Sequence, residues 1–350
     1  MKQRLPVSHF NLPVEEIRRG FYSDSYFVRS QMILDNDNYN PQVLMQVFQR
    51  QQAVLCGIDQ AIAILKTCAR RPEDLKIRAL FDGDRLEPWD TVLTIEGRLA
   101  DFVHLETVYL GALSRQTKIA TNVDRVVKAA AGKPVLFFPS RFDHYAVQAE
   151  DGYAAQVGGV IGVSTPANAS YWNGDAVGTI PHALIAAYCG NTLAATEAFD
   201  RYIDPAINRV ALVDFDNDCV RTALEVARKF GSQLYGVRLD TADTLVDASV
   251  LPHMGTFKPT GVCPVLVRNV RKALDDEGFN HVKIMVSGGF TAEKIRAFEA
   301  ERTPVDVYAV GASLFNDSVN FTADIVAVDG KPCAKAGRHY RNNPRLQIVE

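Results

Sequence analysis

Two segments of the chain close an apolar run with glycine: VKIMV leads into Ser287-Gly288-Gly289, and VYAV leads into Gly311-Ala312-Ser313. Glycine lets backbone N–H groups come close to an anion, and the helix start after Thr291 adds further free donors. Either turn alone is equally a tight strand-to-helix connection. As a pair on consecutive late strands they point to a phosphate group, the usual occupant of that position in a barrel. A second set of groups is charged. Asp214 follows the apolar run VALV, while Arg238 and Asp240 lie in VRLDT. Strand alternation sends Arg238 and Asp240 to the same side. Carboxylates facing a phosphate suit Mg²⁺ or sugar hydroxyls, and the same residues could simply pair and close a barrel mouth. In FFPSRFDH, Phe138 precedes Arg141 by three residues. An aromatic ring and a guanidinium suit a flat anionic ring, through stacking and paired hydrogen bonds, although a core Phe beside a surface Arg has the same pattern. His182 follows Pro181 in VGTIPHALI, where a helix-start residue and a reactive imidazole look alike.

These groups need a frame that gathers strand ends. VLMQVFQR (Val43 to Arg50) and TVLTIEGR (Thr91 to Arg98) are expected as strands, the first half-buried. CGIDQAIAILKTC (Cys56 to Cys68) has helical spacing, and a long helix is expected from Asp101 to about Ala131, stopped by Gly132-Lys133-Pro134. After Pro134 the rhythm changes to short apolar runs, VLFF (135–138), VALV (210–213), LYGV (234–237), VKIMV (282–286) and VYAV (307–310), several followed by helices. That alternation predicts parallel strands buried on both faces, in a (β/α) barrel or a doubly wound sheet, with the ligand at their carboxyl ends. The tail from Asp324 to Gly337 reads as a hairpin around Asp329-Gly330, returning to the first domain.

The totals set outer limits. A length of 350 residues suggests about two domains. A net charge of −3 without clustered Lys/Arg gives no nucleic-acid surface, and no apolar run reaches the roughly 18 residues of a membrane span. The N-terminus lacks the apolar core of a signal peptide, so a cytoplasmic location is expected. The six cysteines form no CxxC pair and are expected as reduced core residues.

Taken together and in order, several segments resemble the nicotinate phosphoribosyltransferases, especially their shorter archaeal-type branch. They are SDSYF (23–27), IEGRLADFVHLETVYLG (95–111), FFPSR (137–141), VGTIPHAL (177–184), VRLDT (237–241), IMVSGG (284–289) and VGAS (310–313). The resemblance implies an irregular, TIM-like (β/α) barrel over residues 116–319. It implies an N-terminal α+β sandwich domain over 1–115, completed by the tail at 320–350. It also implies transfer of a phosphoribosyl group from phosphoribosyl pyrophosphate to nicotinate, with Mg²⁺, with ATP as a co-substrate acting through a phosphorylated His182, and in a homodimer or larger homo-oligomer with a shared active site.

By the same resemblance, Phe138 is one face of a sandwich around the pyridine ring, and Tyr26 of a neighbouring subunit is the other. Arg141 and Arg238 lie near the ring carboxylate and the ribose. Asp214 and Asp240 are the acidic pair for the metal and the ribose hydroxyls. Ser287, Gly288, Gly289, Gly311, Ala312 and Ser313 cradle the 5′-phosphate, and Thr179 lies in the substrate-binding GTxPHAL segment. Relatives that use nicotinamide carry an acidic residue where this chain has Ser164 or Thr165, which favours nicotinate. Phe215 departs from the family's usual Asp-Thr-Tyr run, and no zinc is expected because the cysteine-rich module of some relatives has no counterpart. The rival readings are a quinolinate phosphoribosyltransferase, which needs a denser set of basic residues; an aldolase-like barrel, which needs a lysine at a strand end; and a non-catalytic nucleotide sensor.

Overall fold

The computed structural model describes residues 3–172, 174, 176–255 and 257–350. In chain order the strands are β1 (Gln42–Phe48), β2 (Ala53–Val54), β3 (Lys76–Ala79), β4 (Arg85–Leu86), β5 (Thr91–Arg98), β6 (Val135–Phe137) and β7 (Gly162–Val163). They continue with β8 (Val210–Leu212), β9 (Gly236–Leu239), β10 (Lys283–Val286), β11 (Val307–Val310), β12 (Thr322–Val328), β13 (Lys331–Pro332) and β14 (Gln347–Ile348). The chain divides into two compact units, Met1–Thr121 with Asp317–Glu350, and Asn122–Asn316.

The first unit is built on an antiparallel sheet of order β13-β12-β1-β5-β3-β14. The tail enters it directly: β12 pairs with β1 from Val43↔Val328 to Phe48↔Thr322. The β12–β13 hairpin turns at Asp329 and Gly330, both at positive φ (47° and 74°), a conformation that Asp and Gly tolerate best. Strand β1 is not half-buried as its alternation suggests. Gln46 on its polar face is covered by the tail, donating to the His339 carbonyl (2.9 Å) and accepting from the Arg341 amide (2.9 Å). Val43, Met45, Val47 and Ile95 pack with Ile58, Ile62 and Leu65 of helix Ile58–Cys68 and with Tyr109 and Leu113 of helix Glu106–Ala129. That long helix starts later than the spacing predicts. The Asp101 carbonyl accepts from the Arg70 amide (3.0 Å) and its carboxylate pairs with Arg71, so the segment from Leu99 to Leu105 breaks into two short turns. Ala131 (φ 50°) and Gly132 (φ 90°) end the helix.

The second unit holds a six-stranded, wholly parallel sheet of order β7-β6-β11-β10-β9-β8. The architecture is mixed α/β with a parallel half-barrel sheet. Strands β6 and β8 are buried along their whole length, as expected where helices cover both faces. Two details differ from the sequence reading. Strand β9 starts at Gly236, not Leu234, and takes in Arg238 and Leu239. At Gly236 any Cβ would sit 2.8 Å from the Lys283 carbonyl of the next strand. Strand β7 has only two residues, one of them glycine, and leaves no apolar run to find. Four cysteines are buried as expected. Cys189 and Cys333 are exposed: Cys189 sits in the turn closing helix His182–Ala187 at φ 54°, and Cys333 follows the tail hairpin.

Candidate active site

The carboxyl ends of the parallel strands surround a cavity of about 750 Å³, within the range of small-molecule sites. Phe138, Ser140 and Arg141 reach it from the end of β6, Ser164 and Thr165 from β7, and Arg238 and Asp240 from β9. Ser287, Gly288 and Gly289 follow β10, and Gly311, Ala312 and Ser313 follow β11. His182, first residue of helix His182–Ala187, also lines it. Strand register therefore does what the sequence pattern requires, setting six separate segments around one opening.

Arg238 is the centre of the polar floor. Its side chain is only 16% exposed and spends three donors on three partners. Nε donates to Ser287 Oγ (2.8 Å), one terminal nitrogen to Thr179 Oγ1 (3.1 Å) and the other to Asp240 Oδ2 (3.1 Å). Ser287 Oγ in turn donates to Asp240 Oδ1 (2.7 Å), which closes a three-residue ring of hydrogen bonds. The Arg238 guanidinium also lies 5.6 Å from the centre of the Phe138 ring, so the aromatic paired with this Arg is Phe138. Arg141 lies instead over Phe142, at 5.3 Å, and is exposed.

The two glycine turns are joined to this floor and to each other. Gly288 (φ 83°) needs a left-handed backbone, and a Cβ there would lie 3.2 Å from Asp240 Oδ1. Gly289 (φ 65°) faces open space. The amides of Gly288 and Gly289 have no hydrogen-bond partner among the described residues, leaving both free for an anion. Ser313 Oγ donates to the Phe290 carbonyl (2.7 Å) and fixes the second turn against the first. Thr291 caps the helix Ala292–Ala300 by accepting from the Lys294 amide.

Behind the pocket lining, Asp214 meets His182: Nε2 lies 3.1 and 3.0 Å from the two carboxylate oxygens. The Asp214 side chain is 6% exposed against 45% for His182. Burial pushes Asp214 above the ordinary carboxylate range, the adjacent His182 ring pulls it back, and the charge of Asp240 pushes it up again. Asp216, at the same strand end, is bound instead by Arg221 and Thr222. Tyr26 lies in the first unit, on helix Ser25–Asn36, 58% exposed with its hydroxyl on Asp24 (3.2 Å).

Sequence reasoning passed over Lys294, Ser140, Gln148 and Asn168. The Lys294 ammonium lies 3.4 Å from the Gly288 carbonyl and 4.3 Å from the Phe290 ring centre; burial lowers its pKa, with the Lys258 charge adding to the effect. Its place in the first helical turn after the double glycine was the available signal. Among the described residues no cluster of three or more His, Cys, Asp or Glu side chains could hold a metal ion, and no helix is long and apolar enough to cross a membrane.

The fold and cavity define a mixed α/β protein whose parallel sheet carries a polar floor of Arg238, Asp240 and Ser287 at the strand ends. A family model described as Quinolinate phosphoribosyl transferase, N-terminal domain, matches residues 24–117. The chain is 33% identical to a nicotinate-nucleotide pyrophosphorylase from Pyrococcus furiosus, with a TM-score of 0.82 over 100% of this chain and 86% of that one. It is 30% identical over 271 residues to a nicotinate phosphoribosyltransferase of Mycobacterium tuberculosis, covering 75% of this chain and 56% of the relative. A human nicotinic acid phosphoribosyltransferase structure shares the fold, with a TM-score of 0.69 at 17% identity over 89% of this chain and 76% of that one. The chain belongs to the family of nicotinate and quinolinate phosphoribosyltransferases. It spans about half the length of the curated relatives it matches.

Proposed function

We propose that the chain transfers the phosphoribosyl group of phosphoribosyl pyrophosphate to nicotinate, giving nicotinate mononucleotide and pyrophosphate. The observation that carries this is the ring formed by Arg238, Asp240 and Ser287 beneath the Gly288-Gly289 amides, in one cavity with Phe138 and Arg141. The free amides suit the 5′-phosphate, Asp240 suits the ribose hydroxyls, and Phe138 with Arg141 suits a flat ring bearing one carboxylate. The pyridine nitrogen already carries its lone pair, so positioning and charge stabilisation are the work left to the protein. Two guanidinium groups line the cavity, and Arg238 is committed to the floor, which fits one carboxylate better than the two of quinolinate.

Asp214 and Asp240, close enough for one charge to act on the other, suit a magnesium ion brought in by the pyrophosphate. When bound, that ion neutralises charge on the leaving group. ATP coupling would act through His182, whose ring is exposed to the cavity and backed by Asp214. We read the parallel sheet as most of an irregular TIM-like barrel, Tyr26 as a residue lent to a neighbouring subunit's pocket, and the location as cytoplasmic.

The test is pyrophosphate release with nicotinate, nicotinamide and quinolinate side by side, with and without ATP. Release with nicotinate is expected. CO₂ release from quinolinate would overturn the assignment, and ligand binding without turnover would make the chain a sensor. The H182A variant should bring the rates with and without ATP to the same value.

A further inference from the structure

Three hydroxyls, Ser140, Ser164 and Thr165, line one wall of the cavity, and the buried residue behind them is Asn168. The Asn168 amide can take only one orientation. Its Nδ2 donates to the Gln148 carbonyl (2.7 Å), and a flipped amide would set two oxygens against each other. Oδ1 must therefore accept, and it lies within reach of both Ser140 Oγ and Thr165 Oγ1 (2.9 Å). Thr165 Oγ1 in turn accepts from the Asn168 backbone N–H (3.1 Å), so its single proton goes to Asn168 Oδ1 or to Gln148 Oε1 (2.9 Å each). Ser140 likewise spends its proton on Asn168. Ser164 Oγ, 2.7 Å from Ser140 Oγ, is then the donor of that pair. The backbone of Asn168 is held as firmly. Trp172 Nε1 donates to its carbonyl (2.9 Å), and at Gly152 a Cβ would lie 1.9 Å from the same oxygen.

We propose that Asn168 is a positioning residue that fixes the polarity of this wall, leaving Ser164 as the one hydroxyl able to turn its proton to a ligand carboxylate. Ser140 loses only a donor from its oxygen when Ser164 turns away, and its bond to Asn168 remains. Turning Ser140 or Thr165 outward would instead take a donor from the buried Asn168 Oδ1 or from Gln148 Oε1. This inference rests on the proposed reading of the pocket as a site for a pyridine carboxylate.

The sign of one variant separates this from a merely structural role. S140A removes the bond that Ser164 must break, so KM for nicotinate should stay the same or fall a few-fold. S164A should raise that KM about tenfold. N168A frees the other two hydroxyls to substitute, so S164A should cost less than half as much, on a logarithmic scale, when added to N168A. Direct nicotinate binding to the full chain gives the same comparison without turnover. A KM or dissociation constant raised by S140A in step with S164A, or strict additivity of S164A and N168A, overturns the relay. If the wild type uses quinolinate instead, the variants are scored on quinolinate, so the substrate reading fails while the relay is still decided. If the chain binds only nicotinamide, both fail.

Discussion

Replacing Arg238 by lysine keeps the charge and tests the geometry. The guanidinium serves Ser287, Thr179 and Asp240 in three directions, at 2.8, 3.1 and 3.1 Å. A single ammonium on a flexible stem can keep one of these partners in place, most favourably Asp240. The two hydroxyl bonds are then lost, at about 1 to 1.5 kcal/mol net each in this partly solvated floor, or about 2 to 3 kcal/mol together. Ser287 opens the glycine turn and also bonds Asp240 (2.7 Å), so the loss falls on the glycine turn and the carboxylate at once. If that positioning is expressed in the transition state, kcat/KM falls roughly 30- to 150-fold. The assay is initial-rate pyrophosphate release across a matrix of both substrate concentrations, with urea unfolding in parallel. R238A should be worse in both respects. It leaves the Asp240 side chain, 17% exposed, without its cation, and half-buried unpaired charge costs about 2 to 3 kcal/mol of stability. An R238K variant within threefold of wild type would refute the view that the three-way geometry, rather than the charge, organises this floor.

Three further variants probe the other parts. G288A places a side chain at φ 83° and 3.2 Å from Asp240 Oδ1, costing about 1 to 2 kcal/mol in strain, and should raise KM for the phosphoribosyl donor at least tenfold more than KM for nicotinate. For Asp214, burial raises the carboxyl pKa, so on acidification the proton returns earlier than for an ordinary Asp, and the His182 pair is lost as pH falls through that raised value. The acid limb of kcat/KM should lie above the usual carboxylate range of about 4 and vanish in D214N. Glu106, in the first unit, offers a stability test of its own. Burial, with Asp324 and Asp24 nearby, pushes its carboxyl up to about 7 from 4.5. The folded state thus favours the protonated form, and stability declines as pH rises from 4.5 to about 7. At about 1.4 kcal/mol per tenfold in proton affinity the cost is roughly 3 kcal/mol, about half that after solvent screening at this half-buried position. E106Q should therefore stabilise by about 1 to 2 kcal/mol at pH 8 and not at pH 4.5 in urea titrations, and an equal effect at both would remove Glu106 as the cause.

What could be read from the sequence followed from how local its cause is. The runs VLFF, VALV, VKIMV and VYAV became β6, β8, β10 and β11 because a strand buried on both faces needs apolar residues throughout, and its period is written in consecutive positions. The glycines at 288 and 289 were visible because a left-handed backbone leaves few alternatives to glycine. Arg238 and Asp240 share a face for the equally local reason that they are two residues apart on a strand. The reading weakened where the deciding contact is distant. Strand β7 exists because β6 pairs with it, not because Gly162-Val163 favours extension. The helix expected from Asp101 breaks because Arg70 and Arg71, some thirty positions earlier, claim the groups that would continue it. Asn168 is the extreme case. Its partners Ser140 and Gln148 lie 28 and 20 positions away, it carries no charge, and nothing in PANA marks it. A hydrogen-bond hub of this kind has no period and no composition, only geometry. Yet its bonds fix where the Ser140 and Thr165 hydroxyls point, so the geometry of this wall rests on a residue that a sequence pattern exposes least, while the glycine turns and charged strand ends are those it exposes best.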